Sequence, residues 1–242
     1  MRIDLHSHTV YSDGRNTAEE MVQAAIGKRL DLYGISDHSY TSFEKDYCMD
    51  IKAYEKYKAE IKDLKEKYRN EIDLSCGIEY DYYSDYVPEG FDYVIGSVHC
   101  LKIGKNYLSV DMDRETFEMI GRDYFNNDYY SFCEAYYETL SDICDKTKID
   151  IVGHFDLITK FNEGNKYFDE NDERYINAWQ KAMLKLLKDV KCFEINYGAV
   201  NKGIRSVPYL SRQMQEFLID HGGYTIRSSD SHNIENVGRF GK

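Results

Sequence analysis

Residues 91–99 read FDYVIGSVH. Aromatic and β-branched residues dominate the run, and it closes on a polar residue, His99, as a buried strand does on reaching a loop. The same shape recurs along the chain. RIDLHSH starts at Arg2, LDLYGISDH at Leu30, IDLSCGIEYD at Ile72, IDIVGHFD at Ile149, CFEINYG at Cys192 and YTIRSSDSH at Tyr224. Helical patterns separate these runs. Thr17-Ala18-Glu19-Glu20 is a capping box ahead of Met21, Val22, Ala25 and Ile26. Asp50 caps a helix with Tyr54, Tyr57, Ile61, Leu64 and Tyr68 at three-and-four spacing. Glu115 to about Lys146 reads as mostly helical, interrupted near Asn126-Asn127-Asp128. Ile176, Trp179, Met183, Leu186 and Val190 mark another helix, and a last one spans Ser206 and Pro208 to the stop at His221-Gly222-Gly223.

Strands alternating with helices predict parallel pairing in an α/β protein. Seven such units in one uninterrupted chain predict a distorted (β/α)7 TIM-like barrel, with an open doubly wound sheet as the alternative. Residues 1–242 read as a single domain. The stretch from about 101 to 148 is too long for one crossover helix and is read as an insertion over the barrel mouth.

Composition narrows the function. With 42% hydrophobic and 31% charged residues, the chain reads as soluble and globular. A formal net charge of −12 disfavours nucleic acid or an anionic membrane as the main partner, and leaves room for a small phosphorylated substrate at a local metal cluster. No apolar stretch approaches the roughly 20 residues of a membrane-spanning helix, and no leader pattern opens the chain. Cys48, Cys76, Cys100, Cys133, Cys144 and Cys192 are scattered without a C-x-x-C, so reduced thiols in a cytoplasmic protein are expected. Cys76 and Cys100 lie near the candidate site and are kept as minor candidate ligands. The chain stops about ten residues after His232, an end short enough to expose a barrel flank or to favour a homo-oligomer.

Six of the seven histidines close an apolar run: His6, His8, His38, His99, His154 and His232. His221 sits beside a helix stop and is read as structural. The His6-x-His8 pair, on a strand, would put both rings on one face. Glu79 ends the third run, Asp230 the seventh, and Asp13 lies in the first loop. In a parallel barrel the C-terminal strand ends meet at one rim, where active sites form, so these nine groups should converge. One zinc takes three or four protein ligands. Nine suit two or three ions with a bridging carboxylate, and imidazole with carboxylate suits zinc, manganese or iron. Three divalent ions against three carboxylates leave a surplus of about three positive charges, fit for a phosphate dianion and one hydroxide. Metal-assisted phosphate-ester hydrolysis follows. Hydrolysis of an amide by a barrel metallohydrolase is the alternative; such sites usually carry a bridging lysine, and Lys160 lies several residues past its strand.

HSHTVYSDG, GISDH, CGIEYD, IGSVHC, VGHFD and SSDSH, in this order, resemble the motifs of the polymerase-and-histidinol-phosphatase (PHP) superfamily. YYSFCEAYYETL and FEINYGAVNKGIRSVPY are similar to its histidinol-phosphatase branch. The resemblance implies a distorted seven-stranded barrel with three divalent ions. His6, His8, Glu79 and Asp230 would hold one, Glu79, His99 and His154 the second, and Asp13, His38 and His232 the third. A metal-bound hydroxide would attack phosphorus with no covalent phosphoenzyme, and Asp13, His38 or His232 would assist the leaving group. Similar proteins carry arginine after the sixth strand. Here Lys202 stands near that place and Arg205 follows, so Lys160, Lys202 and Arg205 are the candidate phosphate-binding cations. A lysine lacks the two-pronged fork of arginine. The implied reaction is hydrolysis of L-histidinol phosphate in histidine biosynthesis. Other phosphoesters (nucleotides, oligonucleotides, phosphotyrosine) and a non-catalytic regulatory domain are the competing readings.

Overall fold

The computed structural model describes residues 1–241. All seven runs contain strands. β1 (Ile3–Asp4), β2 (Leu32–Ile35), β3 (Asp73–Asp81) and β4 (Tyr93–Ser97) are followed by a hairpin of β5 (Cys100–Ile103) and β6 (Asn106–Ser109), then by β7 (Ile151–Val152), β8 (Cys192–Asn196) and β9 (Tyr224–Ser228). The seven strands outside the hairpin pair in parallel in the order β1-β2-β3-β4-β7-β8-β9. A parallel bridge between Ser7 and Ser231 joins the two edges, so the sheet is a nearly closed barrel, not an open one. At that seam the fully buried carboxylate of Asp4 accepts hydrogen bonds from the Ser229 amide at 2.9 Å, the Ser229 hydroxyl and the Gly238 amide at 2.9 Å.

Seven helices surround or cap the barrel: α1 (Ala18–Gly27), α2 (Tyr54–Tyr68), α3 (Arg114–Phe125), α4 (Tyr129–Ser141), α5 (Glu173–Leu186), α6 (Gly198–Asn201) and α7 (Arg212–Asp220). The Thr17 capping box forms as its residues dictate: the hydroxyl accepts from the Glu20 amide and the Glu20 carboxylate from the Thr17 amide. The apolar faces of α1, α2 and α7, with Met21, Ile61 and Leu218, bury against the outside of the sheet, and α5, with Trp179, packs against α4. Two sequence expectations change. The last long helix begins at Arg212, not near Ser206, because Leu210 adopts a left-handed φ of 63° and Ser211 supplies the cap. The connection between β4 and β7 holds α3 and α4 as helices, and also the β5–β6 hairpin.

The barrel interior is small. Tyr93, Ile95, Ile151 and Cys192 form its apolar plug with Leu5 and Ile226. The Tyr93 ring lies where a Cβ on Gly34 or Gly77 would sit, and its hydroxyl donates to the Leu5 carbonyl at 2.6 Å. These two glycines let a large ring cross the barrel, since any side chain there would collide with it. Strand alternation then carries the inner face upward from the plug. It runs from Gly34 to Ser36 and His38, from Gly77 to Glu79 and Asp81, and from Ile95 to Ser97 and His99. It runs likewise from Cys192 to Glu194 and Asn196, and from Ile226 to Ser228 and Asp230. The apolar floor thus dictates which side chains meet at the C-terminal rim.

Candidate metal centre

Glu79 is the hub of that rim. It is fully buried, and five imidazoles approach its carboxylate. On one side, Oε1 accepts from His154 Nε2 at 2.9 Å and faces His99 Nε2 at 3.4 Å. On the other, Oε2 faces His38 Nδ1 at 2.7 Å, His6 Nε2 at 3.3 Å and His8 Nε2 at 3.7 Å. Asp230 Oδ1 lies 3.4 Å from His8 Nε2 and 3.5 Å from His232 Nδ1. Asp13 lies 3.6 Å from His38 Nε2, 3.2 Å from His232 Nε2 and 3.9 Å from His8 Nδ1. The nine candidate ligands thus form one connected cluster, with Asp13 its most open member.

Neighbouring residues aim these groups. The His6 ring Nδ1 bonds to Glu194 at 2.8 Å and the His99 ring Nδ1 to Asp81 at 3.1 Å. Each bond leaves the other ring nitrogen pointing at Glu79. Asp37 accepts from the Thr9 amide and hydroxyl, both at 2.8 Å, and from the Ser12 hydroxyl, which pins the loop carrying Asp13. Asp230 itself sits at φ 49°, in the left-handed region that aspartate tolerates better than most residues. The sequence reading passed over Glu194 and Asp81. Their signal was their place on the inner face, two residues beyond Cys192 and Glu79.

The electrostatics are those of a cluster short of positive charge outside its histidines. Burial opposes ionisation of Glu79, but His6, His38 and His99 overcome it and hold its carboxyl well below the usual range. Burial likewise opposes the His6 charge, yet Glu194 and Glu79 hold that ring well above the ordinary imidazole value. For His8, burial and then the His38 and His232 charges act together and push it well below.

The donor atoms fit divalent cations. His6 Nε2, both ring nitrogens of His8, and Glu79 Oε2 are buried and make no hydrogen bond. Orphaned buried groups of this kind cost on the order of 1–3 kcal/mol each, and here they point at one another. Three sets have all their donor atoms within 4.8 Å of each other: His8, Asp13, His38 and His232; His6, His8 and Glu79; and His38, Glu79 and His99. Nitrogen and carboxylate oxygen suit zinc, manganese or iron. No cysteine joins these sets, and burial pushes the Cys76 thiol to about 12 and Cys100 higher still, away from the thiolate a metal needs. Among the described residues all six cysteines are free thiols. His221 lies elsewhere, stacked on Phe217, with its Nδ1 2.8 Å from the Phe217 carbonyl.

A cavity of about 270 Å³ opens over the cluster. Lys160 and Lys202 both line it. Lys160 donates to the carbonyl and carboxylate of Asp111 at 2.6 and 3.0 Å, whereas Lys202 is exposed at the rim. Arg205 departs from the expectation of a phosphate-contacting cation. It is buried outside the cavity lining and donates to the Thr159 carbonyl at 2.5 Å and to the Thr159 hydroxyl, because its segment turns inward beneath Tyr209.

The family model for the PHP domain matches residues 4–198. This chain belongs to the PHP domain family. Across 260 residues it is 27% identical to the histidinol-phosphatase of Bacillus subtilis, an alignment covering 97% of this chain and 95% of that one. Its fold is similar to that of a Listeria monocytogenes protein assigned as a histidinol phosphatase, with a TM-score of 0.83 at 20% identity, covering 98% and 97% of the two chains. It is also similar to the Lactococcus lactis histidinol phosphate phosphatase solved with zinc, L-histidinol and phosphate, with a TM-score of 0.66 at 16% identity, covering 96% and 87%. This PHP domain carries its imidazole cluster where the parallel strands end, as a barrel requires. Among its described residues no helix is long and apolar enough to cross a membrane.

Proposed function

We propose that this PHP domain is a metal-dependent phosphomonoesterase acting on L-histidinol phosphate, a soluble cytoplasmic enzyme of histidine biosynthesis. The observation that carries the reading is the buried Glu79 carboxylate with imidazoles on both of its oxygens, under a cavity sized for a small molecule. His6, His8, Glu79 and Asp230 would hold one ion, Glu79, His99 and His154 a second, and Asp13, His38 and His232 a third. Bound there, divalent ions supply a nucleophile from water near neutral pH and offset the charge of the phosphoryl group. Lys160 and Lys202, from the loops after β7 and β8, are the cavity's two lysines among the described residues and would face the phosphoryl end. Asp13, the most open ligand, and its neighbours His38 and His232 would assist departure of the leaving oxygen.

The wall supplied by the β2 loop and the hairpin segment is different. Glu44, Tyr47, Ser109, Asp111 and Met112 line it. Asp111 is spoken for by Lys160, while among the described residues the Glu44 carboxylate has only the Cys100 thiol at 3.8 Å. Burial and then the Asp111 charge raise the Glu44 carboxyl above its usual value, as befits a carboxylate short of a cation. The ammonium-bearing organic half of histidinol phosphate provides one.

A substrate panel after reconstitution with manganese, zinc and iron in turn tests the reading. Release of phosphate from histidinol phosphate should far exceed release from an uncharged aryl phosphate; equal or slower turnover sinks the assignment. Glu44→Gln should raise KM for histidinol phosphate about tenfold, the worth of one charge-assisted contact. It should leave the aryl phosphate nearly unchanged. Equal losses on both substrates would remove Glu44 from recognition of the organic half.

A further inference from the structure

Tyr209 lines the cavity, as Lys202 does, yet the residue is 2% exposed and its hydroxyl makes no hydrogen bond. Buried phenols ordinarily find a partner. This one belongs to a ring that lines the cavity 6.3 Å from that of the candidate ligand His154. Burial keeps the phenol protonated. A protonated phenol facing an anion acts as a donor. Lys160 and Lys202, from the loops after β7 and β8, line the same cavity, Lys160 paired with Asp111 and Lys202 exposed.

The ring is fixed from behind. The Tyr209 amide donates to the Asn196 carbonyl at 2.9 Å, and the next two amides, of Leu210 and Ser211, donate to the buried Asp156 carboxylate at 2.5 and 3.3 Å. The Arg205 guanidinium lies over the Tyr209 ring at 5.1 Å and is itself tied to Thr159. Such a stack restrains the ring and is most favourable when desolvated.

We propose that the Tyr209 hydroxyl is a phosphoryl-binding donor, and that Arg205 is a positioning residue acting through the Tyr209 ring. This rests on the phosphomonoesterase reading for its substrate, but its test does not need turnover. Inorganic phosphate titrated calorimetrically into the metal-loaded protein is the probe. Tyr209→Phe should weaken phosphate binding on the order of 10- to 100-fold, the loss of one hydrogen bond to a charged group, with metal content unchanged. Turnover of histidinol phosphate and of an aryl phosphate should then fall together. Phosphate affinity equal to wild type overturns the proposal, and so does a loss confined to histidinol phosphate, which would assign the phenol to the organic half. Arg205→Lys should weaken phosphate binding when Tyr209 is present and add nothing in the Tyr209→Phe background. Additive losses would overturn the positioning role. If the wild-type protein binds phosphate but hydrolyses no monoester, the functional reading fails while the Tyr209 proposal stands or falls on the titration alone.

Discussion

Glu79→Gln is expected to strip two metal ions from each chain and to lower hydrolysis by at least about a thousandfold. The geometry behind this is asymmetric in a useful way. Glu79 Oε1 serves the His99 and His154 side, and Oε2 serves the His6, His8 and His38 side. An amide keeps the shape but gives up the negative charge that both sides share, so neither side keeps its anionic ligand. Losing several kcal/mol of transition-state stabilisation from the ions corresponds to a thousandfold or more in rate. Elemental analysis of the purified variant beside phosphate-release kinetics measures both effects. Loss of a single ion with the others retained would mean that Glu79 does not bridge.

The second large effect concerns the seam of the barrel. Asp4→Ala should cost about 3–5 kcal/mol of stability, read from urea unfolding. It leaves two amides and a hydroxyl, from Ser229 and Gly238, without their buried acceptor, and each such group costs on the order of 1–3 kcal/mol. Asp4 meets the candidate ligands only through the backbone of His6, so metal bound to the fraction that folds should be normal in number. A cost below about 1 kcal/mol would show that the edges are held by something else, such as the Ser7–Ser231 bridge.

Much of this architecture was legible because two periodicities coincided. Where a strand is long enough for its alternation to reach the rim, as in β3, β4 and β9, an inner-face residue two or four positions beyond the barrel floor is a site residue: Glu79, His99 and Asp230. β1 and β7 are only two residues each, and there the rule lapses. His6 and His154 reach the cluster from extended chain beyond the ladder, visible in sequence as histidines but not as members of a regular face. The orienting carboxylates Glu194 and Asp81 were hidden by their ordinariness, since an acid in a strand announces nothing until the imidazole it bonds is known. Arg205 misled for a different reason. A guanidinium in a polar loop reads as a surface charge, and only the inward turn of residues 205–211 shows that it packs over a ring. The hairpin was missed although Gly104-Lys105-Asn106 between two apolar pairs is a fair turn signal. The longer helical periodicity that follows it drowned it.

The meeting of the first and last barrel strands at Ser7 and Ser231 has a consequence for biosynthesis. His6 and His8 leave the ribosome well ahead of Asp230 and His232, which follow only after more than two hundred further residues. At ordinary translation rates that is a delay of roughly ten to forty seconds. Through this interval the early imidazoles lack the carboxylate and ring that complete their surroundings. Cation capture by the finished cluster is therefore a late event in the life of the nascent polypeptide, and ribosomes stalled short of β9 should carry chains that retain little of the metal.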